Sequence, residues 1–104
     1  MLNLTKNNID EEIKETIIVD FWAEWCSPCK EMDPIFDQLG EEIKNLKFAK
    51  LNVDKEPELA VRFGVMSIPT FLIIKKGEEI GRIVGSMQKS TFKEKIEESR
   101  KRIE

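Results

Sequence analysis

Residues 16–22, TIIVDFW, form a nearly unbroken run of β-branched and aromatic side chains that ends four residues before a cysteine. The run is too short for a core helix and reads as a strand buried on both faces. A strand covered on both sides needs a layer of helix above and below it, which points to an α/β sandwich. The next segment supplies such a layer. From Pro28 onward Met32, Ile35, Phe36, Leu39 and Ile43 recur at helical spacing, a long amphipathic helix. Pro34 lies inside it and is expected to kink it, because it removes one backbone donor.

The remaining segments alternate in the same way. Asn8 to Glu15 has Ile9 and Ile13 four apart and reads as a short first helix, with a short edge strand expected at Leu2 to Leu4. Lys47 to Val53 reads as a second interior strand. Asp54 is expected to start a brief helix carrying Leu59 and Phe63, with Gly64 as its C-cap. Thr70 to Ile74 and Glu79 to Val84, joined through Lys76-Gly77, read as a hairpin. Phe92, Ile96 and Ile103 give the C-terminal charge cluster an amphipathic helical pattern over roughly residues 89 to 103. A βαβ unit followed by a hairpin makes a central mixed β-sheet of four to five strands with helices on both faces.

The chain has 104 residues, enough for one domain (1–104) with one modest core. No run approaches the ~18 apolar residues of a membrane span, and the first twelve residues, acidic by the tenth, do not read as a secretory signal. A net charge of -3 argues against a nucleic-acid partner, because phosphate binding needs a basic surplus. The expected location is therefore cytoplasmic, where structural disulfides are rare and transient ones catalytic.

Both cysteines fall in WCSPCK, and there is no histidine. As a structural staple the pair closes too small a loop to remove much unfolded-state entropy, about 2 kcal/mol. As a zinc site it lacks half its ligands, although a metal shared between two chains stays open. The third reading is redox. The pair lies where the first buried strand ends and the long helix begins, and free N–H groups at a helix N-terminus stabilise an anion. Cys26 is then expected to be partly thiolate and to attack, while Cys29, one turn inside the helix, resolves.

VDFWAEWCSPCK (residues 19–30), KLNVD (50–54), SIPT (67–70) and the glycine of IVGSM, Gly85, together resemble the thioredoxin family, in order and over nearly the whole chain. The resemblance implies the thioredoxin fold, a redox-active Cys26–Cys29 disulfide as the only redox centre, no bound cofactor and no metal. It implies a monomer that reduces disulfide-containing proteins and is itself reduced by thioredoxin reductase, a flavoprotein usually drawing on NADPH. Ser27 stands where the commonest family motif has glycine, which leaves the reduction potential open.

The supporting residues each have a plainer reading. Asp20, within the apolar strand, is either a strand-edge carboxylate reaching solvent or, by resemblance, the buried acid/base that takes the proton of Cys29; burial would then raise its pKa toward the working pH. Lys50 is either a solvated strand lysine or the charge partner of Asp20. Pro69 is expected to be cis by resemblance, bringing the Ser67-Ile68 backbone beside Cys26 to pair with a substrate strand. Trp25 is expected to be exposed, forming an apolar landing surface with Ile68, Val84 and Gly85. Pro28 suits a helix first turn and stiffens the dithiol. Gly85 is either a turn or a point of close substrate approach. Trp22, Met32 and Met66 read as core.

A strong oxidant or isomerase would stabilise its thiolate with a cation inside the motif, and Ser27-Pro28 supplies none. A redox-silent binding module on the same fold is the reading from a different class; both cysteines and the buried acid stand against it.

Overall fold

The structure, a computed structural model, describes residues 1–101. In chain order the elements are β1 (Leu2–Asn3), α1 (Ile9–Glu12), β2 (Ile17–Trp22), α2 (Ser27–Glu42), β3 (Lys47–Asn52), α3 (Pro57–Arg62), β4 (Thr70–Lys75), β5 (Glu78–Val84) and α4 (Lys89–Lys101). The five strands form one sheet in the order β1-β3-β2-β4-β5. The first three of these are mutually parallel, β4 runs antiparallel to β2, and β5 runs antiparallel to β4.

The central strand β2 explains its own composition. Ile17, Ile18, Val19, Asp20 and Phe21 are all buried, as a strand with a helix layer on each side requires. Alternate residues split between two cores. Ile17, Val19 and Phe21 pack with Ile9, Leu51, Leu59 and Leu72 under α1 and α3. Ile18 packs with Met32, Phe36, Phe71, Phe92 and Ile96 under α2 and α4. Phe36 is the hub of the second core, its ring centroid 4.9 Å from that of Phe48 and 5.6 Å from that of Phe71. Asp20 and Trp22 follow Ile18 on this face, which turns them toward α2.

The hairpin between β4 and β5 turns on two residues, Lys76 and Gly77, both with positive φ, and a register shift at Ile73/Ile74 accommodates the twist. Helix α2 runs unbroken through Pro34. Three local expectations need correction. Helix α1 is shorter than Asn8–Glu15, because the Ile13 carbonyl accepts the Gly77 N–H at 2.8 Å instead of a helical donor. Helix α3 starts at Pro57 rather than Asp54: Asn52 Oδ1 accepts the N–H groups of Asp54 (2.9 Å) and Lys55 (3.2 Å), and this side-chain turn delays the helix. Met66 is 97% exposed rather than core, because it lies in the loop between α3 and β4 that no layer covers. Helix α4 is described only to Lys101, so the expected part at residues 102 and 103, with Ile103, lies outside the described residues.

Candidate active site

The site assembles at the C-terminal end of β2. Cys26 is the N-cap of α2: its backbone is extended, and its Sγ accepts the N–H of Cys29 at 3.2 Å. Ser27 and Pro28 occupy the first turn and are exposed. Proline fits there because the missing N–H would have had no helical partner. Cys26 and Cys29 are joined by a disulfide, with Cα atoms 5.3 Å apart. Both are nearly covered, with 3% and 4% exposure, and Ala23, Trp22, Val53 and Ile68 pack around them. Only the rim of the site is open. Among the described residues no group of three or more His, Cys, Asp or Glu side chains is placed to hold a metal ion.

The rim is apolar. Trp25 is 68% exposed, and its Nε1 donates to Asp54 Oδ2 at 2.9 Å, which orients the indole without burying it. The Ile68-Pro69 peptide is cis, and Ile68 packs on the cysteine cluster. Ser67 is exposed and its carbonyl accepts from Thr70 Oγ1 at 2.6 Å, while the Pro69 carbonyl accepts the Gly85 N–H at 2.9 Å. The backbone of Ile68 makes no such bond among the described residues. Val84 is exposed. Gly85 has φ +93 and nothing within 4 Å of where a Cβ would stand, so the glycine is required by backbone conformation and leaves open space.

On β2, two residues before Trp22 of the cysteine cluster, lies Asp20, 1% exposed, with Oδ1 lacking any hydrogen-bond partner. Burial drives its carboxyl up from 3.8 to about 7; the charge of Lys50 pulls it down, while those of Asp33 and Asp37 add to the rise. Lys50 stands opposite Asp20 in the β2–β3 register, yet its ammonium is engaged elsewhere. Its Nζ contacts Asp33 Oδ1 at 2.8 Å and Asp37 Oδ1 at 3.3 Å, both on α2. The expected partnership with Asp20 therefore exists only through space. Burial lowers the proton affinity of Lys50, and the two carboxylates outweigh that and raise it above its ordinary value. A depression of about 280 Å³ lined by Trp22, Ala23, Glu24, Cys29, Lys30 and Asp33 opens to solvent on the Cys29 side.

Sequence reasoning missed Asp33, Asp37 and the Trp25 anchor Asp54. A signal for the first two was present: Cys29, Asp33 and Asp37 are spaced four apart, which places two carboxylates on the helix stripe of the second cysteine.

Known proteins resemble this chain over most of its length. The family model described as Thioredoxin matches residues 1–98. A thioredoxin of Rickettsia felis is 38% identical over 101 residues, covering 93% of this chain and 96% of that protein. One from Chlorobaculum thiosulfatiphilum is 41% identical over 98 residues, covering 90% and 91%. A solved structure, described as the structural basis of the thiol resolving mechanism in yeast mitochondrial 1-Cys peroxiredoxin via glutathione/thioredoxin systems, superposes with a TM-score of 0.85. It is 31% identical and covers 94% of each chain. With its sheet, its helix-capping cysteine pair and this likeness along nearly all its length, the chain belongs to the thioredoxin family, disulfide oxidoreductases that work by dithiol–disulfide exchange.

Proposed function

We propose that the chain is a protein-disulfide reductase of the cytoplasm, acting as one domain and one monomeric electron carrier. The Cys26 thiolate attacks one sulfur of a target disulfide; a mixed disulfide forms and one target thiolate leaves. The Asp20 carboxylate takes the proton from the Cys29 thiol. The Cys29 thiolate then attacks Cys26 Sγ, the second target thiolate leaves, and the Cys26–Cys29 disulfide forms. Two electrons pass to the target, and thioredoxin reductase returns two electrons to the pair.

The observation that carries this reading is the unequal surroundings of the two sulfurs. Cys26 caps the helix and receives an N–H, which favours a thiolate. Cys29 lies inside the first turn, in the covered cluster beside the β2 strand that carries Asp20. Trp25, Ser67, Ile68, Val84 and Gly85 supply the surface on which a target segment lies, and the unbonded Ile68 backbone offers it a strand-like pairing edge. Pro28 and Pro69 hold the geometry of the rim.

The reduced chain mixed with a disulfide-bearing protein tests it. Differential alkylation and mass spectrometry should find one Cys26–Cys29 disulfide formed for each target disulfide opened. Target disulfides that stay closed would reject the reading.

A further inference from the structure

We propose that Asp33 is a positioning residue that holds the Lys50 ammonium away from the buried Asp20 carboxyl. This role rests on the reading of Asp20 as proton acceptor for Cys29. Strand register puts Lys50 directly beside Asp20. A lysine has a flexible four-carbon stem and three donors, so an unengaged Lys50 at this position would reach for the nearest carboxylate. On the neighbouring strand that carboxylate is Asp20, which is buried and has an oxygen without a partner. Lys50 nevertheless makes its contacts on α2, with Asp33 at the shorter distance.

The consequence for Asp20 follows from charge. A direct ion pair with Lys50 would fix Asp20 as carboxylate throughout turnover, and a carboxylate so held is a poor carrier of a proton. One ammonium shared between two carboxylates leaves a local net charge of one negative, which disfavours the anion at Asp20. The groups facing Asp20 are consistent with this. The strand β3 contributes Lys50, and α2 contributes Asp33 and Asp37; the neighbours Phe71 of β4 and Ile18 and Trp22 of β2 carry no charge. Asp33 also borders the depression that reaches Cys29, one helical turn along from that cysteine. It therefore stands between the resolving thiol and the lysine.

The test reads the protonation of Asp20 directly, by carboxyl ¹³C NMR titration of the full chain, beside the pH profile of mixed-disulfide resolution. Asp33→Asn should lower the proton affinity of Asp20 by about threefold or more, and Asp33→Glu should restore it. In a Lys50→Met background the same Asp33→Asn change should move it by less than half as much, because the lysine it restrains is gone. Lys50→Gln serves should Lys50→Met fail to fold. An Asp20 titration unmoved by Asp33→Asn overturns the proposal, and so does an equal displacement with and without Lys50, which would make Asp33 a bare charge. If the titration moves as expected while the resolution profile stays fixed, Asp33 keeps its role and Asp20 loses that of proton acceptor.

Discussion

The Sγ of Cys26 accepts the backbone N–H of Cys29 at 3.2 Å, so one cysteine caps the helix that contains the other. The contact makes the two sulfurs chemically unlike although three positions apart. The capping sulfur gains a donor and the positive end of the α2 dipole, both of which favour its anion. The sulfur inside the helix gains neither.

The apolar rim should matter for protein targets and little for folding. Trp25 is 68% exposed and tied down by one hydrogen bond to Asp54. Trp25→Ala should weaken productive binding of a protein disulfide by about tenfold, or ~1.4 kcal/mol, while leaving thermal stability nearly unchanged. Steady-state kinetics with a protein and with a small aromatic disulfide would separate the two. Equal losses on both substrates would place Trp25 in the chemistry rather than on a docking surface.

Asp20, the proposed proton acceptor, also bears on stability. Burial raises its carboxyl from 3.8 to about 7, so between these values the folded chain holds a proton that the unfolded chain has lost. Native stability contributed by this group therefore falls as pH rises through that window and levels off above it. Asp20→Asn removes the dependence. The variant should match the parent near pH 4 and exceed it by on the order of 2–4 kcal/mol at pH 8. Its resolving step should slow, with the deficit shrinking at alkaline pH as Cys29 ionises unaided. Denaturant unfolding at both pH values checks the first claim; a constant difference between them would contradict it.

The reduction potential should fall toward the reducing end of the family. No histidine is present in the chain, and Ser27 and Pro28 place no cation between the cysteines. In a glutathione buffer poised at about −190 mV the pair should therefore stand oxidised, because its own potential lies below that of the buffer. A pair found reduced there would be an oxidant, and the reductase assignment would fail.

The parts legible in sequence were those fixed by periodicity or by short-range chemistry. The run around Asp20 declared a doubly covered strand, the stripe from Met32 to Ile43 declared α2, and Lys76-Gly77 declared the hairpin. The cysteine pair was legible because its spacing and its place before a helix are local facts. Much of what escaped depended on partners distant in sequence. Helix α1 stops early because Gly77 takes the Ile13 carbonyl, and Asp54 gives its side chain to Trp25 rather than to a helix start. The contacts of Lys50 were hidden for the same reason: register alone points it at Asp20, and only the packing of α2 over β3 brings Asp33 and Asp37 within reach.

Unequal roles for the two cysteines are the centre of the account, and trapping tests them most directly. Cys29→Ser keeps the capping sulfur and removes the group that would release the target. Incubated with a disulfide-bearing protein, it should accumulate a covalent adduct through Cys26 that dithiol dissolves, visible on non-reducing gels and by mass. Cys26→Ser under the same conditions should form none. An adduct through Cys29 in the Cys26→Ser protein, or no adduct from either variant, would contradict the assignment of Cys26 as nucleophile and Cys29 as resolving thiol.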